Sequence, residues 1–528
     1  MACAGLLTLG CTAPAPSAPP ASPAASLPAA SLPAPGSVTT SPGPPPPTGA
    51  SPTTADTSDG ERGRPGTEDF WPTQAAAPGE VSGYVSPPSL APGGRLQIRV
   101  ATSAPTVRIA AYRIGAYAGG RGRLVWSTEV AGRRQTAPDV IPATRTVVAR
   151  WEPVAQADTT GWPPGFYLVT MTAGSGGQWV TPLVVRSPRT AGRVVLTAPL
   201  ATWQAYNDWG GRSLYHGAGG RVDYAGRSLA VSFDRPYPSP GAGEFLYGVL
   251  PFVVVAESAG IPLAYLADTD LHSDPQALDG ARGLVSIGHD EYWTRQRRDR
   301  VTAARDRGTN LLFTGANAMY WRIRLERGIV TDDPTGLVVG YKDAAADPLA
   351  RQRPAEATVK WKDEPSPEPT QSLLGTRYEC FPVEADWTVT DPAWWGFAGT
   401  GVVAGTAFPR LLAVEADRVY PGGAAPSPME IVAHTRYSCQ GRPTSAQAVY
   451  YTSPSGAGVI NLNSLRWTCS LDRGCRDGEL DERTTEFTTR VTRTLVTAMA
   501  QGPLGRAHPA RDTVADFHLP SQRTVYPG

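Results

Sequence analysis

Residues 12–66 are almost entirely Pro, Ala, Ser, Thr and Gly. Such a run has too little apolar surface to offset the entropy lost on ordering, so it predicts an extended, mobile tether. Whatever folds must therefore fold downstream of it, and the remaining length leaves room for more than one domain.

Ahead of the tether, residues 1–11 end in Leu6-Leu7-Thr8-Leu9-Gly10-Cys11. This looks like the end of a lipoprotein signal in which Cys11 takes the lipid. No basic segment precedes it and its apolar run is short, so the expectation is that the true start lies upstream or that this start is clipped. A lipid-bearing cysteine beside a mobile tether predicts an extracellular or cell-surface body. A membrane would then be met only through Cys11, since no later segment has the roughly twenty apolar residues of a membrane helix.

The net charge is +1, and charged residues make up 18% of the chain. Neither a basic field nor an acidic tail is present, which argues against a nucleic-acid partner. Lysine is confined to Lys342, Lys360 and Lys362, and arginine carries the rest of the positive charge. Four cysteines fall late in the chain, Cys380, Cys439, Cys469 and Cys475. In an exported chain an even number suggests disulfides. Cys469 and Cys475 are close enough to close a small loop, which leaves Cys380 with Cys439.

From 67 to 187 the pattern alternates. Leu96, Ile98 and Val100 are apolar between polar neighbours, as are Val107 and Ile109, and clusters such as Trp162-Pro163-Pro164-Gly165 separate the runs. Short strands at this spacing predict an all-β, immunoglobulin-like sandwich. From 188 to 528 strands alternate with helices. Strands are expected at 193–198, 261–266, 283–288 and 309–314, with an apolar helix over 243–260, a polar helix over 294–307 and a closing helix over 482–500. This predicts an α/β domain with a mostly parallel sheet and flanking helices, glutamine-amidotransferase-like. The strands near 411–414 and 448–452 are expected to extend the sheet or add a subdomain.

In open parallel sheets ligands bind beyond the carboxyl ends of strands, and three unusual segments fall at such ends. The first runs from Thr202 to Tyr215 and includes Tyr206-Asn207-Asp208-Trp209. It reads either as an ordered loop with buried rings or as a source of phenols that donate hydrogen bonds or bind a hard cation. The second is Gly288-His289-Asp290-Glu291-Tyr292-Trp293. No Ser or Cys stands at this turn, which favours acid–base or metal chemistry over an acyl-enzyme. Helix capping by Asp290 or Thr294 would leave His289 and Glu291 unexplained. The third is Gly315-Ala316-Asn317-Ala318-Met319-Tyr320-Trp321, in which Asn317 reads equally as a turn residue or as a group that orients a carboxylate or a carbonyl.

Taken together, these segments resemble the C-terminal domain of the N,N-dimethylformamidase large subunit, over roughly 190–500. Ser232-Phe233-Asp234-Arg235-Pro236-Tyr237 and Ser455-Gly456-Ala457-Gly458-Val459 look like the same family, and Tyr112-Arg113-Ile114-Gly115-Ala116-Tyr117 looks like what precedes this domain in some relatives. The resemblance implies an iron enzyme in which two tyrosines and a glutamate hold the metal and water attacks an amide carbonyl. Glu291 matches the carboxylate ligand and Tyr206 one tyrosine. His289 and Asn317 match polar residues beside the metal, and Lys342 and Glu415 match a pocket lysine and glutamate. The second tyrosine is expected near the Arg-Pro of the fourth segment, where Phe233 stands. Tyr215, Tyr237 and Tyr247 are the alternatives.

The expectation is an exported hydrolase acting on the C–N bond of a small amide, with Tyr206 and Glu291 on iron and His289, Glu291, Asn317, Lys342 and Glu415 in the chemistry. Phenolate and carboxylate are hard anionic ligands suited to ferric iron. Two other readings compete. One is a non-catalytic surface protein gripping a sugar or cell-wall ligand. The other is a metal-free hydrolase using His289 with Asp290.

Overall fold

The computed structural model describes residues 60–471, 475 and 480–521. The signal-like segment with Cys11, and the tether up to residue 59, lie outside the described residues. Residues 60–66 belong to the folded body, although composition assigns them to the tether. A single carboxylate accounts for this. Glu61 is buried, pairs with Arg123 at 2.7 Å and accepts from the Tyr117 hydroxyl at 3.0 Å. Gly66 N–H also donates to Ala118 O at 2.8 Å.

Two sheets follow. One holds Val81–Ser86, Arg95–Thr102 and Ala155–Asp158, all antiparallel. The other runs in the order Ser89–Leu90, Gln178–Val185, Gly165–Ala173, Thr106–Tyr117 and Gly120–Ala131. Leu96, Ile98 and Val100 share a core with Ile109, Val169 and Met171. Alternate residues thus face one dry layer, as the period-2 pattern requires.

The larger body corrects the expected fold class. The chain is mostly β, with 35% strand and 19% helix in mixed and antiparallel sheets. Its main sheet has seven strands, ordered Leu263–Ala267, Val194–Ala198, Gly283–Ser286, Asn310–Phe313, Gly458–Asn461, Arg442–Thr452 and Met429–Cys439. The first four pairings are parallel and the last two antiparallel. Tyr292–Thr294, Trp321–Glu326, Leu337–Val339 and Ala230–Ser232 form a further four-stranded sheet, and Arg377–Thr388 pairs with Ala407–Arg418 as a ribbon. Alternation of strand and helix holds only between 194 and 313. Beyond it the chain returns by hairpins, which need no crossover helix.

The two bodies are joined by a buried ion pair. Arg113, on a sandwich strand, meets Glu257 of the helix Leu250–Ser258 at 2.7 Å, and Tyr265 donates to the same carboxylate at 2.5 Å. Both expected disulfides are present, Cys380–Cys439 and Cys469–Cys475. They suit an oxidising compartment. Among the described residues no helix is long and apolar enough to cross a membrane.

Candidate functional site

Three neighbouring parallel strands deliver the site. Val194–Ala198 leads into the helix Leu200–Tyr206, so Tyr206 ends a helix rather than lying in an open loop. Gly283–Ser286 leads into the turn at Gly288, and Asn310–Phe313 into Asn317. Gly288 is left-handed, with φ 66°. A Cβ on Gly315 would lie 2.2 Å from Gly288 O, so the second and third segments can touch only through glycine. Asn317 and Lys342 are also left-handed, with φ 55° and 59°. Strained non-glycine backbone of this kind gathers at functional sites.

The side chains converge. The Tyr206 hydroxyl donates to Glu291 Oε2 at 2.5 Å, and Tyr215 Oη lies 3.1 Å from Oε1 and 3.3 Å from Oε2. His289 Nε2 stands 3.6 Å from Glu291 and 3.4 Å from Glu415 Oε2. The Asn317 amide donates to Glu415 Oε1 at 3.2 Å. Lys342 Nζ lies 3.3 Å from the Tyr215 ring centre and 4.7 Å from that of Trp321. All six residues matched by the resemblance therefore meet in one place. Of the three alternatives for the second tyrosine, Tyr215 is the one whose oxygen reaches Glu291.

Asp290 is not part of this group. Its carboxylate accepts from Arg297 Nη1 at 2.7 Å and from the Ser286 hydroxyl at 2.6 Å. A guanidinium and a hydroxyl thus occupy it, which removes the basis for pairing it with His289. Helix capping falls to Thr294, whose Oγ1 accepts from Arg297 N at 3.2 Å. The Thr202 hydroxyl accepts from Glu291 N and Tyr292 N, at 3.0 and 3.2 Å, and fixes the carboxylate turn. Asp417 accepts from Asn317 N at 2.8 Å. Sequence reasoning missed Thr202 and Asp417, because their partners are backbone groups distant in the chain and no local motif marks them.

Charge in the site is dense. Burial disfavours the His289 imidazolium, but Glu415, Glu291 and Glu244 outweigh it and raise its pKa to about 9. Burial, opposed by His289, pushes the Glu291 carboxyl upward. Burial first and then Glu291 raise both Tyr206 and Tyr215 well above the usual phenol range. Burial drives Lys342 well below the usual amine range.

Two buried polar atoms here, Asn317 Oδ1 and Lys342 Nζ, have no hydrogen-bond partner among the described residues, while His289 Nε2 and Glu415 Oε2 face each other as an ion pair at 3.4 Å. Unsatisfied buried groups are costly, and two beside this ion pair fit a place kept for a ligand. Among the described residues no three His, Cys, Asp or Glu side chains are set to hold a metal ion. A metal here would have to draw on phenol oxygen, and the two phenols against Glu291 supply that donor set.

A largely β body gathers phenols and a carboxylate beyond parallel strands. Residues 108–477 match the family described as N,N-dimethylformamidase beta subunit-like, C-terminal, and the chain belongs to that family. The match begins in the sandwich strand Thr106–Tyr117, well before the expected start near 190. No curated protein sequence matches the chain. Among solved structures, the cycloisomaltooligosaccharide glucanotransferase of Paenibacillus sp., complexed with cycloisomaltoheptaose, is 11% identical over 51% of this chain and 35% of its own length, with a TM-score of 0.14. A beta-glucuronidase of Faecalibacterium prausnitzii is 12% identical over 44% of this chain and 41% of its own, with a TM-score of 0.12. The chain spans less than half the length of either. Neither similarity is high enough to bear on fold or function.

Proposed function

We propose that the chain hydrolyses the C–N bond of a small amide, assisted by iron that Tyr206 and Glu291 help to hold. The carrying observation is the convergence of these two residues with His289, Asn317, Lys342 and Glu415, where the buried Asn317 Oδ1 and Lys342 Nζ lack partners. A ferric ion bound there would polarise the amide carbonyl and make a nearby water more acidic. The chain's own residues do the rest. Glu415, oriented by the Asn317 amide, accepts a proton from the attacking water, and His289 beside it passes a proton to the departing amine. Lys342 Nζ, free of hydrogen bonds and packed on aromatic rings, donates toward the substrate oxygen.

The test is metal analysis of purified protein together with amine release from a panel of small amides. Iron at one per chain and turnover of at least one amide are expected. Iron without turnover on any amide leaves the fold with a binding role. Turnover in metal-stripped protein overturns the assistance by iron.

The two disulfides, with the composition of residues 1–66, support a body that works outside the cytoplasm on a lipid anchor at Cys11. Fractionation with Cys11→Ala tests this, since loss of the lipid should release the protein from membranes.

A further inference from the structure

We propose that Arg297, set between Asp290 and Asp268, is a positioning residue that holds Glu291 and His289 against Tyr206. Its effect on turnover rests on the hydrolase reading above, whereas its contacts need neither metal nor substrate. Asp290 stands between two site residues and takes no part in their chemistry, yet four groups converge on it. Its carboxylate accepts from the Ser286 hydroxyl at 2.6 Å and from both terminal nitrogens of Arg297, Nη1 at 2.7 Å. Its carbonyl accepts from Trp293 Nε1 and from Met319 N, each at 2.9 Å. Met319 belongs to the segment of Asn317, so one residue joins the second and third segments of the site.

Arg297 carries this fixation along the sheet. Its side chain is buried, and the guanidinium lies 3.7 Å from the Trp293 ring centre. Its Nη1 also stands 3.9 Å from Asp268 Oδ2. Asp268 follows the strand Leu263–Ala267, and it accepts from Leu200 N at 3.1 Å and from Ala201 N at 2.9 Å. Those are the first N–H groups of the helix that ends in Tyr206. Arg297 therefore ties the start of that helix to the turn that carries His289 and Glu291. The ends of three neighbouring strands, Leu263–Ala267, Val194–Ala198 and Gly283–Ser286, meet around it.

Stability alone is a poor account of this arrangement. Charged groups taken out of water carry a desolvation penalty that can exceed their attraction, and apolar side chains of similar volume often serve as well or better. What the pair supplies is direction. A guanidinium that grips a carboxylate with two parallel N–H groups fixes angle as well as distance. The turn needs such control, because a shift of about 1 Å in a catalytic group can cost about 10²-fold in rate.

Arg297→Lys keeps a positive charge but loses the two-pronged grip. In hydrogen exchange on the full chain without metal or substrate, Glu291 N–H and Tyr292 N–H, which donate to Thr202, should exchange at least about tenfold faster than in wild type. Val285 N–H and Leu312 N–H, in the central strands, should keep their wild-type rates. In assays of amine release, kcat should fall about 10–100-fold with KM within about twofold of wild type. Asp268→Asn, which leaves Asp290 untouched, should move both readouts in the same direction. Unchanged exchange at Glu291 and Tyr292, or faster exchange at every amide alike, overturns the proposal. So does selective exchange with an unchanged kcat. If wild type turns over no amide, the hydrolase reading falls, and exchange alone decides whether Arg297 holds the turn.

Discussion

The Tyr206 hydroxyl donates to Glu291 Oε2 at 2.5 Å across 85 positions of sequence, joining the end of a helix to the turn after a neighbouring strand. That contact makes the carboxylate the hub of the site. Glu291→Gln keeps the shape but replaces an anionic oxygen donor by a neutral amide. Iron uptake should fall below detection while the melting temperature stays within a few degrees. Mass-spectrometric metal analysis of the purified variant is the check, and full iron content would remove Glu291 from the ligand set.

His289 is assigned to protons and not to metal. Its Nε2 lies 3.4 Å from Glu415 and 3.6 Å from Glu291. His289→Ala should retain iron and its absorption band, while kcat for amine release falls about 10²–10⁴-fold, the usual worth of a positioned acid or base. A variant that loses iron in parallel with activity would make His289 a ligand.

Much of the site was legible because its residues lie in short, dense segments directly after strands. Apolar runs such as Val194–Ala198 and Asn310–Phe313 stand out, and the parallel pairing of neighbours brings their ends together. The fold class was less legible. The ribbon of Arg377–Thr388 with Ala407–Arg418 has register shifts near Cys380, Val383 and Trp387, and such irregularities break the period of two by which a strand is recognised. Tyr215 was visible only as one of three alternatives, since its place depends on Leu214 docking to Ala205, a contact with no local pattern.

The Cys380–Cys439 bridge ties the ribbon to the edge strand of the main sheet, with 59 positions between its ends. A loop of that length is worth about 4 kcal/mol in lost unfolded-state entropy. Replacing both cysteines by serine should lower stability by that order in denaturant titrations run without reductant. Thiol labelling of exported wild type should find none of the four late cysteines, and full labelling would refute the disulfide framework.

At the joint of the two bodies, Arg113 and Glu257 are both buried and 2.7 Å apart. Removing one partner leaves a buried charge unpaired, which costs about 3–5 kcal/mol. Glu257→Gln should therefore destabilise strongly, and Arg113→Met with Glu257→Met should recover part of the loss. A single variant as stable as wild type would mean that water reaches the joint.

Two histidines outside the site should each favour the folded chain less on mild acidification. Burial, aided by Arg300, lowers His272 to about 4, and burial, aided by Arg436, lowers His434 to about 4. Each ring has a polar neighbour suited to its neutral form. Thr294 Oγ1 lies 3.0 Å from His272 Nδ1, and Gln447 Nε2 donates to His434 Nδ1 at 2.9 Å. The folded chain keeps both rings neutral down to about pH 4, whereas unfolded histidine takes its proton near 6.5. Between those values each unfolded ring binds more protons than the folded one, so the contribution of these rings to stability rises with pH across the window and is lost as pH falls through it. Burial raises Asp268 and Asp417 to about 7, which works the opposite way in the same window, so the reading is a difference: in denaturant titrations at pH 7.5, 6 and 5, wild type should lose stability relative to the double variant His272→Gln, His434→Gln as pH falls. Parallel slopes in the two proteins would show that these rings are not the groups that titrate.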